Sequence, residues 1–388
     1  MKIAYIYISI IPLAGVDKKP IGQAKALKEL GETGMDIFVL NPDKTRFENG
    51  VHYIRYKNCK QFPYRDYIFK HNFNRFSVLK HILLAEYDYI ILRYPKADAS
   101  GIKFFKNHKI ITEHHSDEYT ELKLEAFHAK SLPYKALKYL RAFLEKKYAA
   151  KLLENAKGII AVSSEIQKFQ QSRLPKQLPA QVISNGIDLS RIQLTGFVPF
   201  DGKELHVVFP AGHDLFFHGI DRLIKGAENY PGSVKIFIHL LGRFDKSPFI
   251  KSPYINYHGI LSGQDYENLM AKMNLGVSTL GLHRRKANNT STLKTCDFTA
   301  RGLPFIMAYD DTIFSQYPPE MKFFEKFPNN DSPIDFNKVI AFAEYVSAEA
   351  NRNIIPNYMR SYAKKHLDWK VKMQEYISFV KQIDRNEK

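Results

Sequence analysis

The chain has 388 residues, 45% of them apolar and 25% charged, and its only cysteines are Cys59 and Cys296. That composition excludes a disordered chain and a disulfide scaffold, and the length favours two domains over one core. Lys and Arg number 57 against 40 Asp and Glu, and the resulting charge of +17 points to an anionic partner: nucleic acid, a phosphorylated substrate or a membrane surface.

Residues 1–12 are apolar but lack a charged leader and a small-residue cleavage site, so they read as a buried first strand over 2–9 rather than a signal peptide. No segment reaches bilayer-spanning length, and two isolated cysteines fit a reducing cytosolic compartment. The loop that follows holds Gly15, Lys18, Lys19, Pro20 and Gly22. A helix over 23–30 stops at Gly31, and a second strand covers 35–40. The glycines make no dinucleotide fingerprint, and Asn41 stands where an acid would bind a ribose. Strands over 87–92 and 109–112 follow. The second ends in Glu113-His114-His115-Ser116-Asp117-Glu118. Strand carboxyl ends line ligand crevices in open α/β sheets, so His114 and His115, flanked by carboxylates, are candidate catalytic groups.

The stretch 131–155 is a long helical pattern. Leu137, Leu140, Phe143, Leu144 and Tyr148 repeat at helical spacing, and Lys130, Lys135, Lys138, Arg141, Lys146, Lys147 and Lys151 take other positions. These cations form either a solvated face or a surface for an anionic membrane. Strands over 158–162 and 181–184 come next, the latter followed by Asn185-Gly186-Ile187-Asp188. The rhythm breaks over 189–203, which reads as the domain linker. It restarts with strands over 205–210, 235–241 and 254–258 and a helix over 265–273. Two terminal helices are expected, over 333–347 and 355–380.

Residues 282–306 read as loop, helix, turn and strand. Arg284, Arg285 and Lys286 precede Asn288, Asn289, Thr290 and Ser291, all good N-cap residues. Leu293, Cys296 and Ala300 keep helical spacing, and Arg301-Gly302 reads as the helix end. A helix start of this kind binds anions, because free N–H groups and the macrodipole both face the ligand. Asp297, further along, could accept hydrogen bonds from sugar hydroxyls. An ordinary strand–helix–strand unit is the competing reading.

Taken together, the chain resembles a GT-B glycosyltransferase of the large retaining group that uses nucleotide-sugar donors (glycosyl transferases group 1, or family four). The resemblance rests on Asn185-Gly-Ile-Asp188, on His218-Gly219-Ile-Asp-Arg-Leu-Ile224, and on Asp297-Phe-Thr-Ala-Arg-Gly-Leu-Pro-Phe-Ile306, which is similar to the family's Glu-x-x-x-x-Gly-x-Pro-x-Ile signature. It implies an α/β fold of two Rossmann-like, doubly wound parallel sheets facing a cleft. The expected parts are 1–192 on the acceptor side, 193–365 on the donor side, and a helix over 366–388 crossing back to the first domain.

The resemblance also implies roles. Asp297 stands where the family's second Glu accepts the donor's ribose hydroxyls. Asn289 stands at the first Glu, which touches the transferred sugar. His213 and His218 replace an Arg and a Lys on the diphosphate, and Arg284, Arg285 and Lys294 are candidates to compensate. Thr290 and Ser291 complete the donor set, and His114 or His115 matches the histidine near the transferred sugar. The expected activity is a metal-independent, hexosyltransferase-like transfer with retention, with neither metal nor cofactor. The acceptor is a glycan or lipid-linked glycan of a bacterial surface polysaccharide such as a capsule. The protein is cytoplasmic, with peripheral attachment to the inner face of the membrane. A nucleotide-sugar epimerase of the same fold is one rival. A nucleic-acid-binding protein is another, but no reading module is present.

Overall fold

The computed structural model describes residues 1–8, 18–41, 46–55, 76, 79, 82, 84–129, 131–245 and 247–387. Gly15, Cys59 and Lys130 lie outside the described residues. The chain forms two compact units: Met1–Ser184 with Trp369–Lys388, and Asn185–Asp368.

Unit 1 is built on a twisted sheet. Its strands are β1 (Ile3–Ile8), β2 (Met35–Asn41), β3 (Arg46–Glu48), β4 (Val51–Arg55), β5 (Tyr89–Arg93), β6 (Ile110–His114), β7 (Gly158–Ala161) and β8 (Ala180–Val182). Their order is β3-β4-β2-β1-β5-β6-β7-β8, parallel throughout except for the β3–β4 hairpin. β1, β5, β6 and β7 are buried almost end to end, as strands covered on both faces must be. The helices are α1 (Lys18–Glu29), α2 (Ser100–Asn107), α3 (Glu118–Phe127), α4 (Leu132–Leu153) and α5 (Ser164–Ser172).

Unit 2 repeats the plan with β9 (Glu204–His213), β10 (Lys235–Arg243), β11 (Ile255–Gly259), β12 (Leu275–Val277), β14 (Phe305–Met307) and β16 (Phe324–Lys326). The order β11-β10-β9-β12-β14-β16 is wholly parallel. A separate pair joins β13 (Asn289–Thr290) to β15 (Asp310–Asp311). The helices are α6 (Ile220–Glu228), α7 (Gly263–Met270), α8 (Leu293–Arg301), α9 (Thr312–Gln316), α10 (Phe336–Ser347), α11 (Glu349–Arg352) and α12 (Ile354–His366). Apolar side chains from both sheet faces and the helices around them form one continuous core.

Three expectations are corrected. The stretch 189–203 is not a linker: Gly196 N–H donates to Arg301 O at 2.9 Å, Val198 N–H to Met273 O at 2.9 Å, and Phe200 N–H to Ser347 Oγ at 2.8 Å. Those bonds bind it into unit 2, so the boundary falls at Ser184–Asn185. The stretch 355–380 is not one helix. It breaks after α12 at Leu367–Asp368, where Ile187 N–H donates to Leu367 O at 2.8 Å. The last helix, α13 (Trp369–Glu387), packs against α1 and belongs to unit 1. Finally, α4 does not bury the stripe that its apolar spacing suggests. Leu140 and Phe143 are exposed, while Arg141, Ala142, Glu145, Ala149, Leu152 and Leu153 are buried. Glu145 is drawn inward by a polar network in which it accepts from Tyr94 Oη at 3.2 Å and from Arg173 at 2.7 Å, and Arg141 is buried on the same face. Buried charge that finds partners can override apolar periodicity.

Candidate functional site

In unit 2 the site gathers where β9 ends and α8 begins. β9 runs through Phe209 to His213, and the chain then turns into α6 at Gly219. Gly219 has φ 75°, and a Cβ there would lie 2.7 Å from Gly281 N. Only glycine fits that turn, because the backbone of 280–281 closes over it. Leu280 N–H donates to His218 O at 3.0 Å. The fully buried Arg222 donates to the carbonyls of Ser332 (2.7 Å), Pro328 (3.0 Å) and Leu280, fixing α6 to the loops around it.

His218 is buried, and its Nδ1 has no hydrogen-bond partner among the described residues. Burial first, then the charges of Lys294 and Arg285, hold its pKa well below the usual value, so the ring is neutral. Lys294, on the first turn of α8, lies over the Phe209 ring at 4.2 Å from its centroid. Its Nζ is shielded from solvent and has no hydrogen-bond partner among the described residues. That desolvation lowers its pKa to about 7. A buried ammonium without an acceptor is costly, and an anion beside it would recover the cost. Arg285 stacks its guanidinium on Phe217 at 4.7 Å. His213 is exposed at the end of β9.

The N-cap of α8 is Thr292, one residue past the expected group; its side chain accepts from Thr295 N–H at 3.4 Å. Beneath it lies Asp311, which accepts from Thr295 Oγ1 at 2.7 Å, Tyr309 Oη at 3.1 Å and Thr292 N–H at 3.4 Å. Burial raises the Asp311 carboxyl to about 6 against those bonds. Ser291 is spent internally: its Oγ accepts from Asn185 N–H at 3.0 Å and its carbonyl from Asn185 Nδ2 at 2.8 Å. The Asn-Gly-Ile-Asp motif therefore braces the start of α8. Asn289 donates to Asp310 O at 2.9 Å and accepts from Thr312 Oγ1 at 3.2 Å, and the Thr290 carbonyl accepts from the same hydroxyl at 3.3 Å.

Asp297 lies one helical turn beyond Lys294 on α8. It accepts from Tyr266 Oη at 2.9 Å and from Arg301 at 3.0 Å through each of its oxygens. Arg301 is fully buried and also pairs with Glu267 at 2.9 Å. The carboxylate is thus oriented by its neighbours, with lone pairs remaining for hydroxyl donors. Arg284 is different. It forms a fork to Asp221 at 2.8 and 2.7 Å and also binds Asp331 at 2.7 Å. Those two carboxylates neutralise it, so it supplies no net charge to a phosphate.

In unit 1 the polar cluster stands at the carboxyl ends of β1, β5 and β6. Glu113 is fully buried and accepts from Lys19 Nζ at 2.8 Å, Tyr376 Oη at 2.5 Å and Tyr5 Oη. Burial pushes its pKa up, but Lys19, then His115 and Arg93, outweigh that and hold it well below the carboxylate range. The two histidines are not equivalent. His114 is 0% exposed, with Nδ1 2.9 Å from Glu118 Oε1 and its ring 4.4 Å from that of Tyr94. His115 is 21% exposed, with Nε2 3.1 Å from Glu113 and 3.3 Å from Lys19 Nζ. Burial, Lys19 and Arg93 lower its pKa to about 3, so it is neutral at working pH. A neutral imidazole that donates from Nε2 to Glu113 keeps its lone pair on Nδ1.

Residues 24–191 match the model of Glycosyltransferase Family 4. The two doubly wound sheets make the GT-B fold. The fold agrees along the whole chain. A glycosyltransferase from Rickettsia africae matches with TM-score 0.65 at 13% identity, covering 99% of each chain. Sucrose-phosphate synthase from Thermosynechococcus elongatus matches with TM-score 0.66 at 15% identity, covering 100% of each. Anabaena HepE in complex with UDP-glucose matches with TM-score 0.59 at 14% identity, covering 98% of this chain and 100% of that one. No curated protein sequence matches.

The structure brings His218, Lys294 and Arg285 together, with Asp297 on the same helix as Lys294. It commits Arg284 and Ser291 to internal bonds and buries His114. In unit 2 Phe209, Tyr266, Glu267 and Asp311, and in unit 1 Lys19 and Tyr376, contact these candidate groups without any motif to announce them. Of these, only Lys19 stood out in the sequence, as a cation in the first loop.

Proposed function

We propose that the enzyme transfers a sugar, with retention, from a nucleotide-sugar donor to a lipid-linked glycan of a bacterial surface polysaccharide such as a capsule. The observation that carries this is Lys294: a shielded, unpartnered ammonium on the first turn of α8, beside a neutral His218. It suits a leaving nucleoside diphosphate, whose growing charge the ammonium and the N–H groups of α8 would stabilise in place of a metal. Asp297, held by Tyr266 and Arg301, takes the ribose hydroxyls, and unit 2 is the donor side. UDP-glucose in the HepE structure supports a uridine nucleotide as the first donor to try.

Unit 1 takes the acceptor. His115, neutral and kept in place by Glu113 and Lys19, acts on the transferring sugar. The acceptor oxygen bonds to the anomeric carbon as the bond from that carbon to the diphosphate breaks, and a donor phosphate oxygen takes the acceptor's proton. Peripheral attachment to the inner face is part of the same proposal; among the described residues no helix is long and apolar enough to cross a membrane. The test is a screen of nucleotide sugars by thermal shift, followed by release of nucleoside diphosphate with and without acceptor glycan. Stabilisation by one donor with acceptor-dependent release is expected. Interconversion of nucleotide sugars without acceptor would identify an epimerase instead.

A further inference from the structure

The carboxyl end of the unit 1 sheet carries a row of three polar side chains on neighbouring strands. Arg93 closes β5 and is the Cα partner of Glu113 on β6. Tyr7, on β1, stands one place beyond the Ile6–Leu92 pair, which sets it beside Arg93 on the other side. Partners across parallel strands project to one face, here the face that α1 and α13 cover. The carboxylate of the row is already satisfied. Glu113 takes Lys19 Nζ at 2.8 Å, Tyr376 Oη at 2.5 Å, Tyr5 Oη, and His115 Nε2 at 3.1 Å. Four donors fill the lone-pair sites of one carboxylate, so none remains for Arg93. Arg93 is half-buried and lies over the Tyr7 ring, 5.5 Å from its centroid. It has no hydrogen bond or ion pair among the described residues. Stacking holds the guanidinium while its fork of N–H donors stays unused. The chain after it turns through Lys96 at φ 70°. A left-handed residue other than glycine is uncommon, and such strain concentrates at ligand sites. Lys96 itself is committed to Glu121 at 3.2 Å.

We propose that Arg93 anchors an anionic acceptor: its guanidinium binds, through both prongs, a carboxylate or phosphate group on the acceptor sugar beside the hydroxyl that attacks. The inference rests on the reading of unit 1 as the acceptor side and adds the charge of the acceptor to it. Lys19 and Arg93 are two cations against the single carboxylate of Glu113, and Lys19 is the one that pairs with it. The row therefore keeps a net positive charge, and a half-buried cation without a counter-ion gains by meeting an anion. A planar fork matches either oxyanion in a way that a lysine would not. The place is right for the chemistry. After burial and Lys19, the charge of Arg93 is the next influence that lowers the pKa of His115, so the two side chains are close. An anion seated on Arg93 would set its sugar against His115, the group read above as acting on the transferring sugar.

The experiment is a ligand-observed NMR titration of the full chain with methyl glucuronide, glucose 1-phosphate and methyl glucoside. Wild type should bind one of the two anionic probes about tenfold or more tighter than methyl glucoside, and which one it is names the source of the anion. Arg93→Met should bring that probe down to the affinity of methyl glucoside. Arg93→Lys, which keeps the charge and loses the fork, should fall between. Both variants should melt as the wild type does, because Arg93 bonds to no described residue. Lys294→Met, on the donor side, should leave the three affinities unchanged. Equal affinities in the wild type, or no binding of either anionic probe, overturn the anionic acceptor and leave unit 1 as the acceptor side. Binding lost in Lys294→Met but kept in Arg93→Met puts the anion in the donor site and overturns the proposal. Binding that depends on Arg93, with no acceptor-dependent release of nucleoside diphosphate in the screen above, overturns the acceptor-side reading and the proposal with it, while the anion site stands.

Discussion

Replacing Lys294 by Met should make the apo enzyme more stable and its donor binding weaker. The ammonium is desolvated with no acceptor, and its pKa falls from 10.5 to about 7. At 1.36 kcal/mol per unit that displacement corresponds to roughly 5 kcal/mol as an upper limit. Between pH 7 and 10.5 the unfolded chain binds more protons at this site than the folded one. Stability therefore rises with pH across that window, and the cost is full below pH 7. Recovering even a third, about 1.5 kcal/mol, would raise the melting temperature of a unit this size by roughly 3–6 °C. Methionine keeps the aliphatic volume over Phe209 and removes the charge. In the other direction, losing a charge-assisted bond to the diphosphate should cost roughly 1.5–3 kcal/mol, about 10- to 160-fold in donor affinity. Binding should also return a proton to the lysine. With a pKa near 7, about three quarters of the molecules lack that proton at pH 7.5, so uptake approaches 0.8 per donor bound. Thermal melts at pH 6.5 and 9, together with calorimetry in buffers of different ionisation enthalpy, measure all three effects. A variant that melts no higher, binds donor as tightly and takes up as many protons would show that Lys294 already has an acceptor and serves only packing.

Asp297→Ala should weaken donor binding by roughly 1.5–3 kcal/mol and also lower the melting temperature, because Arg301 loses one of its carboxylates. Glu267→Ala strips the other carboxylate from Arg301 and should lower the melting temperature while leaving donor affinity intact. Equal losses of affinity in calorimetry would mean that Asp297 acts only through Arg301. His115→Ala should reduce turnover far more than donor affinity, since its contribution falls in the transition state. His114→Ala should cost roughly 1–3 kcal/mol of stability by leaving Glu118 short of a partner. Wild-type turnover in the His115 variant would move the chemistry elsewhere. Gly219→Ala places a Cβ 2.7 Å from Gly281 N at φ 75°. It should destabilise unit 2 by at least 1–2 kcal/mol from the left-handed backbone alone and loosen donor binding, both visible in a melt with and without UDP.

The sequence by itself determined most central strands of both sheets, the two-unit plan and the helix around residue 297, but not β3, β4 or β16. Local signals suffice for these: apolar runs that must be buried on both faces, glycines that end helices, and a Thr-, Asn- and Ser-rich helix start. Gly302 closes α8 at φ 75°, as its place after Arg301 requires. What only the tertiary structure decided was which polar groups are already satisfied. Arg284 and Lys294 are equally plausible phosphate cations on paper. Asp221 and Asp331, 63 and 47 residues away, neutralise the first, and nothing described accepts from the second. His114 and His115 are adjacent letters, yet β6 ends at His114, inside the core, and His115 stands one residue past the strand, where it is 21% exposed. On α4, spacing drew Leu140 and Phe143 inward, and the Tyr94–Glu145–Arg173 network drew in the face of Glu145 instead. Periodicity reports which residues share a face. Whether that face meets the core or the solvent depends on partners far away in the chain, and those contacts exist only once it has folded.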